Sequence, residues 1–509
     1  MKNIIVLLLL AIPIVVPAQK NTNVWHFGNK GGINFNTMQS VTSSNQGVID
    51  NVPIPIVGFF NTTEGCFTYS NKSTGELMIS SDGMTVYNKN GTVMPNGSGL
   101  KGDPSSTSSG VLIPYPGDRS LFYVISVGAT SAGNKTPGLY YSVIDMTLDG
   151  GLGGIDPLRK NVSLSFGTSG YSHPYAGENI GAVQHANGTD YWLLSRFRDV
   201  LLVWEVTSTG ISEPTVYKGL YNIGTHYAQG LGYLKFNIEG TKFIHVDHNY
   251  QNNSVSRLTI GDFDRSTGII SNLKERNSPE LSNPYGLEFS VSGEYVYFSS
   301  IESLSYNGLI MAKMEDIEDL SLTAFPVTRL MAGPSCIQMG SDGRIYGIAA
   351  GSRNIYIVLD PDSGDGKVAT LTNYLISGTS GLYGLPVFAI SFFNLAPVES
   401  KEVICAGISN AYKITVNLTG TARLSTLKWD FGDGTIITQN LPAGSTSGTY
   451  SYNHIYTSPG TYTVRVVPGI DDGDGVVYED SDKTSEKSFD ILDCSIVSNR
   501  MIRRNVNRQ

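Results

Sequence analysis

Short runs of alternating apolar and polar residues recur along most of this chain, separated by turns rich in Gly, Asp and Asn. A period of two is the pattern of a β-strand with one buried face. The clearest units lie at residues 232–246, 285–299 and 336–348. Their turns fall at Glu239-Gly240, Ser292-Gly293 and Asp342-Gly343, of which the last is a favoured two-residue hairpin pair. The pattern therefore predicts a series of antiparallel hairpins.

The hairpin units repeat at intervals of roughly 40 to 50 residues, which is the spacing of a repeat architecture. Less regular copies lie at residues 67–93, 111–146 and 180–206. A stacked array of sheets must protect its edges, and closing into a ring does so. We therefore predict an all-β protein with a propeller of about six or seven blades at residues 19–396. The even repeat length disfavours a two-sheet sandwich.

The ends of this domain predict how the ring closes. A strand-like segment at residues 24–35 opens the domain, and an apolar run at 387–393 ends it. We expect these two segments to join in one blade, because a ring of sheets needs its first and last units to meet.

Several segments resemble landmarks of the propeller in secreted, PKD-containing proteins of gliding-type bacteria. They lie at residues 25–35, 64–66, 81–97, 141–153 and 384–386. The resemblance spans nearly the whole chain after residue 18. It implies a connection with type IX secretion, whose clients typically end in a sorting domain. Here only a basic tail, at residues 495–509, follows the last predicted domain.

The C-terminal region predicts a second, smaller β domain at residues 405–494, after a linker at 397–404. Residues 429–434, 454–456 and 459–466 closely resemble the PKD signature, which implies an immunoglobulin-like sandwich with an adhesive or spacing role. The motif also makes physical sense, because Trp429 and Phe431 alternate inward before a Gly-Asp-Gly turn. Asp433 is accordingly interpreted as a turn-former.

The N-terminus has the form of a signal peptide. Lys2 precedes an apolar run at residues 4–16, and a small residue, Ala18, ends the segment. We expect cleavage there and export of the protein to the periplasm, the cell surface or the extracellular space. No later segment has the apolar length of a membrane helix. A net charge of -9 disfavours nucleic acid as a partner.

Four cysteines are too few and too scattered for a disulfide scaffold. Cys405 and Cys494 lie at the two ends of the second domain. The sequence is compatible with a disulfide between them and with two free thiols. Cys66 and Cys336 each begin a strand-like stretch, so we expect them to be buried as small apolar residues.

Two acidic, glycine-rich loops are candidates for calcium binding. Calcium favours several oxygen ligands on a flexible turn. The candidate ligands are Asp360, Asp362 and Asp365 in one loop and Asp471 and Asp474 in the other. Solvated turns are the alternative for both, and the sequence predicts no other cofactor.

Few residues of this chain have the chemistry of a catalytic or metal site. His245, Asp247 and His248 have metal-ligand chemistry, but along a strand His248 points away from the other two. Glu178, His185 and Asp190 could form an acid and base at a propeller mouth, although residues 184–188 are also typical of a turn. We therefore expect a non-catalytic binding or adhesion protein whose partner is a protein or polysaccharide. The alternative is a polysaccharide hydrolase or lyase with its site at the propeller channel.

Overall fold

The computed structural model describes residues 20–129, 138–164, 177–220, 230–248, 257–277, 279–281, 284–300, 308–393, 403–407, 409–416, 418, 423–446, 448–471, 477–479 and 485–492. The predicted signal peptide, most of the linker, Asp474, Cys494 and the basic tail lie outside these residues. The chain divides into two compact units, one covering residues 19–393 and the other the region from residue 394 on.

The described residues of the first unit form seven antiparallel sheets, each built from consecutive strands. Sheet 1 contains β1 (Val24–Phe27), β2 (Gly31–Ser43) and β3 (Gly47–Pro55). Sheet 2 contains β4 (Phe67–Ser70), β5 (Leu77–Ser81), β6 (Thr85–Asn88) and β7 (Val93–Ser98). Sheet 3 contains β8 (Gly110–Pro114), β9 (Leu121–Val127), β10 (Leu139–Asp145), β11 (Gly154–Ile155) and β12 (Val162–Ser163).

The remaining four sheets follow the same plan. Sheet 4 contains β13 (Gly181–Gln184), β14 (Tyr191–Phe197), β15 (Val200–Thr207), β16 (Gly210–Ile211) and β17 (Thr215–Tyr217). Sheet 5 contains β18 (Leu234–Phe236), β19 (Lys242–Asp247), β20 (Arg257–Phe263) and β21 (Ile270–Asn277). Sheet 6 contains β22 (Pro284–Phe289), β23 (Tyr295–Ser300), β24 (Gly308–Lys313) and β25 (Thr328–Ala332), with α1 (Met314–Glu318) after β24. Sheet 7 contains β26 (Cys336–Met339), β27 (Ile345–Ile348), β28 (Ile355–Val358) and β29 (Val368–Leu371).

The seven sheets form a closed ring. The first strands of neighbouring sheets lie side by side, as β4 does with β8 and β22 with β26. The last sheet meets the first through hydrogen bonds, because the backbone N–H of Ser44 donates to the carbonyl of Thr370 at 2.9 Å. The backbone N–H of Thr370 in turn donates to Asn45 Oδ1 at 2.9 Å. The fold is therefore a β-propeller whose seven sheets are its blades.

Burial within a blade decreases from the axis outward. All seven residues of β14 are buried, whereas the outermost strand β25 has no buried residue. A strand near the axis has a neighbouring blade against each face, so both of its faces must be apolar. This double burial explains why both faces of β14 and β15 carry mostly apolar residues, and why a charged side chain among them, that of Arg196, is buried.

The predicted hairpins in blades 5, 6 and 7 are confirmed, and each turn has a glycine with positive φ. The φ angles are +69° at Gly240, +74° at Gly293 and +81° at Gly343. The last turn is longer than the predicted two residues, because the final strand pair joins Met339 to Ile345. Asp342 Oδ1 accepts a hydrogen bond from the backbone N–H of Arg344 at 3.2 Å within that turn.

The predicted closure of the ring by residues 387–393 is wrong. Strand β1 pairs with β2, and the 387–393 segment forms a 3₁₀ turn (Ile390–Phe392) where a blade strand was expected. The segment instead contacts first strands from several blades. The ring of Phe388 lies 6.1 Å from that of Trp25 in blade 1, and the ring of Phe392 lies 5.5 Å from that of Tyr69 in blade 2. Residues 385–393, which we call the channel plug, therefore fill the axis of the propeller.

The second unit is a β-sandwich, as predicted. Its larger sheet contains β30 (Val403–Cys405), β32 (Arg423–Asp430), β33 (Ile436–Asn440), β35 (Gly460–Asp471), β36 (Val477–Glu479) and β37 (Ser485–Leu492). Its smaller sheet contains β31 (Asn410–Val416) and β34 (Gly448–His454). Side chains from both sheets share one core, in which Trp429 and Phe431 are almost fully buried. The predicted inward alternation of these two residues is confirmed.

The Gly432-Asp433-Gly434 turn of this unit is stabilised by Asp433. Its Oδ1 accepts a hydrogen bond from the backbone N–H of Thr435 at 3.0 Å, and its Oδ2 lies 2.7 Å from His454 Nε2. The His454 ring stacks on Phe431 at 4.0 Å. Although burial opposes it, hydrogen bonding to the carboxylate lowers the pKa of Asp433. Asp433 is thus a turn-former, as predicted.

Substituting Asp433→Asn is expected to weaken the sandwich mainly above pH 4. The pKa of Asp433 is lower in the folded protein, so the ionised carboxylate contributes stability that is lost as pH falls through that lowered pKa. The loss at pH 7 should be about 1.5 kcal/mol, the lower end of the range for one hydrogen bond to a charged group, because Asp433 is partly exposed. Denaturation of residues 394–509 from pH 2 to 7 tests this, and equal pH dependence of variant and parent would contradict it.

Candidate functional site

The interior of the propeller channel is occupied by the chain itself. The channel plug runs beside β4, since the backbone N–H of Val387 donates to the carbonyl of Cys66 at 2.9 Å. The apolar side chains of the plug are buried. They lie against Ile180, just before β13, and against Leu234 of β18. At Gly384, just before the plug, a Cβ atom would lie 2.0 Å from the carbonyl oxygen of Glu64. Only glycine fits this close approach of two backbones.

A buried ion pair lies beside the plug. Lys235 Nζ is 3.2 Å from Glu288 Oε2 and also donates to Gln338 Oε1, so blades 5, 6 and 7 each supply one partner. The carboxylate of Glu288 also accepts the backbone N–H of Met339 at 3.0 Å. Each charged group thus has several partners, which is the condition under which buried charges are tolerated.

One end of the channel carries a group of polar side chains, which we call the mouth cluster. It contains Glu64, Ser105, Thr107, Glu178 and Tyr285, which come from blades 2, 3, 4 and 6 and lie at or just before the first strand of each blade. Tyr285 donates a hydrogen bond to Glu64 Oε2, and Ser105 Oγ donates to Glu64 Oε1 at 3.2 Å. Burial and the neighbouring Glu64 carboxylate raise the pKa of Tyr285 well above its usual value.

The second carboxylate of the mouth cluster binds backbone. Glu178 Oε2 accepts the backbone N–H of Thr107 at 3.1 Å, and the carbonyl of Glu178 accepts the N–H of Ser108 at 3.0 Å. Thr107 Oγ1 in turn accepts the backbone N–H of Gly232 at 3.2 Å. Glu178 is 1% exposed, whereas Glu64 is partly exposed. The geometry therefore gives Glu178 a positioning role and leaves Glu64 as the carboxylate that a ligand can reach.

A buried charged group lies between blades 4 and 5, and we call it the interblade cluster. It contains Arg196, His245, Asp247 and Thr259, which are buried, and Glu275, which is partly exposed. The guanidinium of Arg196 is 3.1 Å from Glu275 Oε1. Burial, and then the charge of Arg196, lower the pKa of His245 well below its usual value. Burial raises the pKa of Asp247 to about 7, against the opposing effect of Arg196 and Arg257.

The structure separates the residues predicted to form an acid and base. Glu178 precedes β13, while His185 and Asp190 lie in the turn after it, at the other end of the strand. The combination of these three residues is therefore wrong, and only Glu178 belongs to the mouth. Tyr285, Glu64 and Thr107 were missed by sequence reasoning. The one sequence feature that the members of the cluster share is a position near the start of a repeat.

The predicted metal ligands are engaged with other groups. Asp362 Oδ1 accepts the backbone N–H of Ser292 at 2.9 Å. Asp365 Oδ2 lies 2.7 Å from Lys367 Nζ, and hydrogen bonding from Lys367 lowers the pKa of Asp365 to about 2. Asp360 is exposed and Asp471 is half-buried. Within the described ranges no three His, Cys, Asp or Glu side chains group as a metal site, and calcium binding stays a prediction.

The prediction for Cys66 and Cys336 is confirmed, and the one for Cys405 and Cys494 stays a prediction. Cys66 and Cys336 are fully buried and free, as expected. Burial raises the pKa of the Cys336 thiol to about 11, which leaves it protonated and unreactive at neutral pH. The predicted pairing of Cys405 with Cys494 lies outside the described side chains.

Comparison with known proteins supports the division of the chain. Residues 394–485 match the family model of the PKD domain. A comparison with curated proteins found no match. In the part of the chain that the structure describes, no helix is long and apolar enough to cross a membrane.

Solved structures similar to this chain include several propellers. The Dos1 propeller is 10% identical, with 72% of this chain and 86% of that chain covered and a TM-score of 0.38. The Cps50 (Swd1) β-propeller domain of Myceliophteria thermophila is 11% identical, with 70% and 99% covered and a TM-score of 0.31. The periplasmic gluconolactonase PpgL of Pseudomonas aeruginosa is 11% identical, with 61% and 96% covered and a TM-score of 0.23. Likenesses at this level carry no argument about activity.

Proposed function

We propose that this chain is an exported binding protein whose propeller recognises a polysaccharide at the mouth cluster, with the PKD domain as a spacer or second contact. The channel plug is the observation that carries this proposal. The chain's own apolar residues fill the axis, and of the mouth cluster Glu64 and Ser105 are partly exposed while Thr107, Glu178 and Tyr285 are buried beneath them. The mouth therefore presents a small polar surface backed by a packed core. Such a surface suits recognition better than a deep reaction pocket.

The chemistry of the mouth supports a ligand rich in hydroxyl groups. The Glu64 carboxylate is partly exposed, and Tyr285 and Ser105 orient it by donating to both of its oxygens. The backbone of Tyr383 lies beside that of the residue before Glu64, because its N–H donates to the carbonyl of Thr63 at 2.9 Å, and Tyr383 is half-buried. A fixed carboxylate accepts hydrogen bonds from a sugar diol, and a nearby aromatic ring packs on the apolar face of a sugar.

The resemblance to secreted PKD proteins of gliding-type bacteria extends the proposal to the cellular location of the protein. Export through the predicted signal peptide and display at the cell surface, in association with type IX secretion, would place the mouth against extracellular polysaccharide or protein. Detection of the chain on intact cells by surface proteolysis tests this, and recovery of the protein only from the cytoplasm would contradict it.

Glu64→Gln is expected to weaken polysaccharide binding at least about ten-fold, because a hydrogen bond to a charged group contributes about 1.5–3 kcal/mol. Glycan-array binding followed by calorimetry on the strongest ligand measures the change. Glu315→Gln is the matched control, since the Glu315 side chain is 74% exposed and lies on α1. Equal affinities for the Glu64 variant and the parent would exclude the mouth as the binding site.

A polysaccharide hydrolase or lyase is the second candidate, favoured by one observation. Glu64 and Glu178 both contact the 105–108 loop, so two carboxylates lie at one end of the channel. Glycosidases work with two carboxylates on either side of the scissile bond. A hydrolysis screen run beside the array decides between the two functions. Polysaccharide cleavage that Glu64→Gln or Glu178→Gln abolishes would establish the enzyme and overturn the binding protein.

A further inference from the structure

We infer that Asp247 is a buried proton-binding group that makes the mouth cluster sensitive to pH near neutrality. This inference concerns the regulation of the binding site proposed above and rests on that proposed function.

The interblade cluster contains polar atoms that the fold leaves unsatisfied. Neither ring nitrogen of His245 has a hydrogen-bond partner among the described residues, and the same holds for Asp247 Oδ1. His245 is 0% exposed and Asp247 is 4% exposed. Buried polar atoms without partners are rare in folded proteins, because each costs about 1–3 kcal/mol. Their occurrence at two residues on one face of β19 marks a place where the protonation state matters.

The charges around Asp247 come from each element packed against its face of β19. Arg196 of β14 lies opposite, Arg257 and Thr259 belong to β20, and Glu275 belongs to β21. Asp199, in the turn after β14, acts electrostatically on Arg196. The guanidinium of Arg196 already donates hydrogen bonds to Glu275 and to the carbonyls of Arg198 and Val200. Arg196 therefore offsets only part of the cost of a charge on Asp247.

A short path connects this group to the mouth. His248 follows Asp247 in the chain, and its ring stands edge-on to that of Tyr285, with centroids 5.6 Å apart. Tyr285 donates the hydrogen bond that orients Glu64. An ionised Asp247 attracts Arg196 and Arg257 more strongly than a neutral one does, so we expect β19 to shift at this end. His248 transmits that shift to Tyr285 and Glu64.

The pH dependence has a definite sign. Burial raises the pKa of Asp247 to about 7 in the folded protein. A raised folded-state pKa means that the protonated carboxyl stabilises the fold, fully so below the unfolded pKa of about 4, and that this stabilisation disappears as pH rises to about 7. Asp247→Asn, which mimics the neutral carboxyl, should therefore match the parent at pH 4 and melt at a higher temperature than the parent at pH 8.

The experiment follows Asp247 directly. The carboxyl carbons of the full mature chain are titrated by NMR from pH 4 to 9, with Asp247→Asn to assign the signal and Asp50→Asn, at an exposed position, as control. The expected result is a midpoint between about 6 and 8 for Asp247 and a parallel shift of the Tyr285 ring signals, assigned with Tyr285→Phe. Affinity for the strongest array ligand should change about five-fold or more over this range, a modest coupling between two sites, and stay constant in Asp247→Asn.

The outcomes separate this inference from the proposed function. A midpoint below pH 5 for Asp247, or Tyr285 signals that ignore its titration, would overturn the inference while leaving ligand binding intact. Coupled titration of both residues, with no polysaccharide bound at any pH, would support the switch and remove the proposed function.

Discussion

Replacing Phe392 with Ala should lower the free energy of unfolding of the propeller by about 3–5 kcal/mol, the usual cost of removing a buried aromatic ring. Phe392 is 4% exposed and packs against Tyr69 of blade 2. The plug touches first strands from blades on several sides of the axis, so a cavity there loosens the whole ring. Denaturant unfolding followed by tryptophan fluorescence measures the change.

Leu158→Ala is the control for this experiment. Leu158 is 91% exposed, and its removal should change the free energy of unfolding by less than about 0.5 kcal/mol. If Phe392→Ala were equally mild, the plug would be a loosely held segment, and the channel behind the mouth would be open to a ligand. That result would remove the main support for recognition over catalysis.

The hairpins could be predicted because each carries its own evidence. Residues 285–299 alternate in polarity and contain a Gly at the turn, and both features are local properties of the backbone and its burial. The same reasoning placed Trp429 and Phe431 in the core of the sandwich. The local pattern predicts the strands and their turns, although in the propeller both faces of a strand such as β22 are buried.

The role of residues 387–393 could not be predicted on the same grounds. A short, continuous apolar run fits a buried blade strand and a channel plug equally well, because both are apolar on all sides. What decides between them is the width of the axis, which follows from the number of blades and their packing. That quantity depends on the whole ring and on no local segment.

The mouth cluster was hidden for a related reason. Glu64, Thr107, Glu178 and Tyr285 are far apart in the chain, and only closure of the ring brings them together. Glu178 and His185 are close along the sequence, which suggested that they act together. They lie at opposite ends of β13, so the structure separates them. Aligning the repeats on their first strands places Glu64, Thr107 and Glu178 at equivalent positions just before the strand, whereas Tyr285 lies within β22.

Lys235→Met should destabilise the propeller by about 3–5 kcal/mol, because it leaves the Glu288 carboxylate buried without its cation. Glu288 is 0% exposed and Lys235 is 8% exposed, so water cannot replace the lost partner. The measurement is again denaturant unfolding at pH 7.

The double variant Lys235→Met with Glu288→Gln separates the charge from the packing. Glutamine keeps an oxygen that can accept the backbone N–H of Met339, so the double variant removes both charges and retains that hydrogen bond. We expect it to recover at least half of the stability lost in Lys235→Met. Measured together with the single variant Glu288→Gln, this corresponds to a coupling of at least about 2 kcal/mol between the two sites. Additive losses would mean that the two charges do not interact, and the channel wall would then owe its stability to apolar contacts with the plug. Recovery, in contrast, would show that blades 5, 6 and 7 are joined beside the plug by a pair of charges that must be kept or removed together.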